Sequence, residues 1–132
     1  DEILPFADRD HLNQIQPPTR SALRRFAAMC SELGVTCGAA IVPPAFVAHP
    51  ERVEKTFSAF GLDPSTAQLD APQSIIQRSI PNTVSVIDLT PTLQKRADER
   101  PYLVFDPHFS ANGHEIVASA LQPFIRTLVD TP

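Results

Sequence analysis

The sequence predicts an α/β protein in which helices cover a parallel β-sheet on both faces. Three features of the chain carry that expectation. Val35 to Val42 is a nearly continuous apolar run stopped by Pro43-Pro44, as in strands buried on both faces. Segments with helical apolar spacing alternate with such runs, the pattern of parallel strands joined by right-handed crossovers. A final run, Tyr102-Leu103-Val104-Phe105, breaks at Asp106-Pro107-His108 and leads into a long periodic segment that ends near Val129.

Composition frames what such a chain can do. It has 132 residues, 42% hydrophobic and 20% charged, which is ordinary for one globular domain spanning residues 1–132. The formal net charge of -4 gives no basic footprint for nucleic acid. No apolar run is long enough for a membrane span, and no signal peptide is visible. The opening DEILPFADRD starts neither with Met nor with a clear element, so a processed or truncated N-terminus is expected. Cys30 and Cys37 form no metal motif; they read as two buried thiols, with a disulfide as the alternative. The 14 prolines punctuate element ends throughout.

Taken in order, Asp1 to Gln16 lacks periodicity and reads as loop. Asp8, Asp10 and His11 lie within it as solvated polar residues rather than metal ligands. Pro17-Pro18-Thr19 predicts a helix start, with Thr19 or Ser21 as N-cap. Leu23, Phe26, Ala27, Cys30 and Leu33 then form one apolar face, and Gly34 closes the helix. In the following strand, the small residues Gly38, Ala39 and Ala40 predict close approach of a helix. His49 falls in the loop after that strand, the edge where sites form in open α/β sheets. Glu51 to Phe60 reads as a helix with Val53, Phe57 and Phe60 inward. A second short helix runs from Asp70, an N-cap acid, to Arg78 with Ile75 and Ile76 buried. Val84 to Ile87 reads as a strand, and Asp88 as a turn or N-cap acid before a short helix ending near Arg96. Leu103 to Phe105 is the third expected strand, and Ser110 the expected N-cap of the final helix. Three strands make a thin sheet with exposed apolar edges, which predicts a covering partner.

Asp106 and His108 carry the clearest chemistry. Residues i and i+2 of an extended chain project to the same side. Pro107 favours an extended Asp106, so its carboxylate is expected to bond the His108 ring at Nδ1. That bond fixes the tautomer and leaves Nε2 as a base, the orienting part of a nucleophile–base–acid triad.

Residues Asp106, His108, Gly113 and His114 resemble the closing block of SGNH (GDSL-like) hydrolases and the related carbohydrate O-acyltransferases. The strand ending at Pro43-Pro44 and the run VSVIDLTP from Val84 extend the likeness over roughly residues 19 to 128. The resemblance implies a three-layer α/β/α fold with a parallel, flavodoxin-like sheet, here incomplete on its N-terminal side. It also implies ester hydrolysis or acyl transfer on a small ester or acylated carbohydrate, with His108 as base and Asp106 as its acid. The position three before His108 is Phe105, so the acid role falls two before, as in a variant of the motif. The family's Gly-Asp-Ser nucleophile motif and its glycine and asparagine oxyanion donors have no match. Serines such as Ser21, Ser58, Ser85 and Ser110 lie outside that context. The chain therefore resembles the C-terminal half of such an enzyme, whose nucleophile comes from a missing segment or another chain. No cofactor is implied. Three alternatives stand beside this reading. One is a non-catalytic assembly module with a relic motif. Another is a metal site at Asp106, His108 and His114. In the last, Asp106 and His108 only cap the final helix.

Overall fold

The computed structural model describes residues 3–130. Seven α-helices and two strands follow in the order α1 (Leu4–Ala7), α2 (Arg9–Glu32), β1 (Gly38–Ile41), α3 (Ala45–Ala48), α4 (Val53–Ala59), α5 (Ala71–Ser79), β2 (Ser85–Asp88), α6 (Thr90–Lys95) and α7 (Ala111–Val129). Single 3-10 turns occur at Pro50–Arg52, Pro64–Thr66 and Ala97–Glu99.

The strands pair in parallel, with Gly38 opposite Ser85 and Ile41 opposite Asp88. Side-chain alternation assigns each face of this ribbon to a helical layer. Ala39, Ile41 and Val86 pack with Ala27 of α2 and Ile76 of α5. On the opposite face, Ile87 belongs to a cluster with Ile116 and Leu121 of α7, Leu93 of α6 and Leu89 just before α6. Gly38 is small because α7 crosses it: a Cβ there would lie 2.6 Å from Leu128 Cδ1 and 2.9 Å from Phe124 Cε1. A third apolar cluster holds Ile3, Phe6, Phe46, Val47 and Phe57, with edge-on ring pairs from Phe6 to Phe46 and Phe46 to Phe57.

The expected three-layer α/β/α architecture with a flavodoxin-like sheet is not present. Helices hold 63% of the residues, and the described residues contain one two-stranded sheet. The expected strand Leu103–Phe105 is a loop instead. Tyr102 forms a single antiparallel bridge with Phe109, and the Leu103 N–H donates to His108 O at 3.0 Å. The run thus folds back on itself rather than lying beside β2. Its base is fixed by Tyr102, buried with its hydroxyl donating to Pro43 O, and by Pro101 against α7. Those anchors turn Val104 and Phe105 outward, to 63% and 96% exposure.

The N-terminal region also differs from the sequence reading. The expected loop up to Gln16 is mostly helical, with α1 and the start of α2 separated by the extended Asp8; Asp1 and Glu2 lie outside the described residues. Asp8 caps α2, its Oδ1 accepting the Asp10 N–H at 2.8 Å, so Thr19 and Ser21 are interior positions. Pro17 and Pro18 lie within the helix, where each lacks an amide donor. The cap, the α1–α2 packing and burial of Leu12 hold the helix together around them.

Several smaller assignments change with it. Phe57 is fully buried, but Phe60 points outward at 62% exposure and Leu33 at 68%. Pro72, Gln73 and Ser79 are the buried residues of α5, whereas Ile75 and Ile76 are half-buried. The Asp70 side chain makes no capping bond. Cys30 and Cys37 are joined in a disulfide, with Cα atoms 6.2 Å apart. Closing that short loop restricts the unfolded chain and stabilises the fold by about 2–3 kcal/mol.

Candidate functional site

The loop that carries Asp106 and His108 is built on a rigid base. Ser110 caps α7: its Oγ accepts the Gly113 N–H at 3.1 Å and donates to Arg100 O at 2.7 Å. The Ser110 N–H donates to Pro101 O at 2.9 Å, and Asn112 Nδ2 to Glu99 O at 3.0 Å. Gly113 has no alternative, since a Cβ would lie 2.0 Å from Pro101 O. Arg100 enters this base at φ 53°, in the left-handed region that side chains disfavour. Burial pushes the Tyr102 hydroxyl up to about 12, so it stays protonated and keeps donating.

Above this base, Asp106 and His108 come together. Asp106 Oδ1 accepts the His108 backbone N–H at 2.8 Å and also meets Nδ1 of the His108 ring. Those two bonds, the backbone one foremost, hold the Asp106 carboxyl below its ordinary range. With Nδ1 engaged, the ring presents Nε2 outward, and the His108 side chain is 80% exposed. Among the described residues, no hydroxyl bonds to His108. The arrangement can take a proton at Nε2 and stabilise the resulting imidazolium, but it contains no attacking group.

Asp106 also forms part of a cleft of about 560 Å³. Ile3, Pro44, Phe46, Ala59 and Phe60 give it apolar lining, and Leu103, Val104, Phe105 and Pro107 complete the loop side. Arg52 and Lys55 are its cations, and Arg52 Nη1 makes a long 3.5 Å contact with Leu103 O. His108 does not line this cleft. The sequence reading missed Arg52, Lys55 and the outward Phe60, because helical periodicity marks a face as apolar without saying whether another element covers it.

The other candidates have structural surroundings. His49 is buried, its Nδ1 3.1 Å from Glu51 Oε1 and its ring edge-on to Tyr102. His114 lies in the first turn of α7, its ring edge-on to Phe109. Asp88 Oδ1 accepts the Thr90 N–H at 2.8 Å, the turn role expected for it. No group of three metal-ligating side chains converges among the described residues, so Asp106, His108 and His114 do not form a metal site. Asp8, Asp10 and His11 do not form one either. No described helix is long and apolar enough to cross a membrane.

No family model, curated protein or solved structure matches this chain.

Proposed function

We propose that the chain contributes the oriented general base of an SGNH-type ester hydrolase or carbohydrate O-acyltransferase. The observation that carries this is the Asp106 carboxylate on Nδ1 of an exposed His108. In the proposed reaction a nucleophile hydroxyl from outside this chain gives its proton to Nε2 as its oxygen attacks the ester carbonyl. The imidazolium then returns that proton to the departing alkoxide. The apolar cleft behind Asp106 suits the acyl part of such a substrate.

The resemblance of Asp106, His108, Gly113 and His114 to the closing block of that superfamily supports the same reading. So does the two-stranded ribbon, whose strands each keep one edge unpaired among the described residues, where a further segment or chain can add. The apolar residues Leu33, Val35 and Val42, exposed on either side of β1 in the sequence, fit an added partner.

The test is hydrolysis of 4-nitrophenyl acetate by the chain alone and together with a Gly-Asp-Ser-bearing segment or chain. The chain alone should show no turnover above buffer. The completed enzyme should be active and lose roughly 10²–10⁴-fold on His108→Ala, as for loss of a general base. Activity of the completed enzyme that is unchanged by His108→Ala would overturn the proposal.

A further inference from the structure

On the side of the molecule formed by α2 and α5, Arg20, Arg24 and Arg78 line one open pocket of about 510 Å³. Arg20 and Arg24 are four residues apart and so stand one turn apart on the same face of α2. Arg78 comes from the last turn of α5, which packs against α2. Ser79, Ile80, Pro81 and Asn82 complete the lining, and no carboxylate is among it. None of the three arginines forms a salt bridge with a described residue. The pocket shares no lining residue with the Asp106 cleft.

This gathering runs against the composition, since acids outnumber Lys and Arg by 15 to 11. The α5 C-terminus accounts for one cation, because its carbonyl ends favour positive charge at Arg78. It does not account for Arg20 and Arg24, which lie in the interior of α2. Nor does the lining suit an apolar guest, as Ile80 and Pro81 are its hydrophobic part. The Ser79 hydroxyl already donates to Ile75 O at 2.7 Å, so the donors left for a guest are the guanidinium groups and the Asn82 amide.

The donor set defines the guest. Each guanidinium is a planar fork matched to a pair of acceptor oxygens. A single carboxylate has two oxygens and saturates one fork. A tetrahedral oxyanion has enough oxygens to meet forks arriving from two helices. The pocket is open to solvent, so an anion bound there can carry an organic group that extends outward.

We propose that this pocket binds a tetrahedral oxyanion, the phosphate or sulfate ester of a small organic molecule, between Arg20, Arg24 and Arg78. The experiment is an amide-detected NMR titration of the whole chain with glycerol phosphate, methyl sulfate and acetate. Sodium chloride holds the ionic strength constant, because exposed charges are screened.

Saturating shifts of the Arg78, Ser79 and Asn82 amides are expected with phosphate or sulfate, and weaker ones with acetate. The tighter of the two esters identifies the anion. Arg24→Ala and Arg78→Ala should each weaken binding about tenfold, or about 1.4 kcal/mol. Arg24→Lys keeps the charge without the fork and should fall between wild type and Arg24→Ala. All three side chains are exposed, so these variants should keep the wild-type circular dichroism spectrum. Shifts that fail to saturate, that acetate reproduces at equal affinity, or that persist unchanged in Arg24→Ala and Arg78→Ala would overturn the proposal.

Discussion

The base and the tip of the Tyr102–Phe109 loop are built on opposite principles. At the base, nearly every polar group has a partner: Pro101 O, Arg100 O and Glu99 O each accept a bond from the start of α7. At the tip, three consecutive apolar residues are exposed, and the polar contacts are few: the bonds from His108 to Asp106, the Leu103 N–H to His108 O, and a long one from Arg52 to Leu103 O. An anchored base with an exposed tip leaves the His108 ring in solvent without asking the tip to stabilise the fold. Buried anchors and exposed side chains are separated here by only a few residues of chain.

Mutations can break that division. The largest effect is expected for Gly113→Ala, which places a methyl group 2.0 Å from Pro101 O, a backbone atom that cannot step aside. Chemical denaturation should show a loss of at least about 3 kcal/mol. A stability near wild type would mean that α7 does not approach Pro101 so closely. Tyr102→Phe comes next: it leaves the buried Pro43 carbonyl without its donor and should cost about 1–2 kcal/mol in the same measurement. Phe105→Ser should change stability by less than about 0.5 kcal/mol, because the ring is 96% exposed. A cost comparable to that of a core phenylalanine would show that the tip is buried in solution.

The smallest expected effect concerns pH. The Asp106 carboxyl has a depressed folded-state value, so its contact with His108 is complete above the ordinary value of 3.8 and is lost as pH falls through the lower folded value. Carboxyl carbon NMR should place its midpoint below that of an unstructured aspartate. An ordinary midpoint would mean that the two bonds to His108 are not maintained.

Individual local features, though not the architecture, were legible where a local rule and tertiary packing agree. Ser110 reads as an N-cap because its hydroxyl suits the free amides of a helix start, and Gly38 reads as a close approach because a side chain would collide with α7. The Asp106–His108 contact was expected from an extended chain; residues 104–108 bend instead, and the contact forms in a turn in which Asp106 Oδ1 also accepts the His108 N–H. The third strand was illegible for a non-local reason. An apolar run of Leu, Val and Phe has strand propensity, but pairing requires a neighbour, and the anchors at Pro101 and Tyr102 direct this run away from β2. Pro17-Pro18 misled in the other direction. A proline pair marks a helix start in the absence of other information, yet Asp8 supplies an earlier cap and α1 packs on the turns that follow. The disulfide was one of two readings that spacing left open, since it depends on how the turn at Gly34 brings Cys37 back toward Cys30.

If Asp106 orients His108, the tautomer of the ring reports it. Long-range proton–nitrogen NMR of neutral His108 should find the proton on Nδ1 in the wild type, held there by the carboxylate. In Asp106→Asn the preference should weaken toward the Nε2-protonated form of a free imidazole, with the fold unchanged. If wild type and Asp106→Asn give the same tautomer ratio, the carboxylate does not set the ring and His108 is not an oriented base.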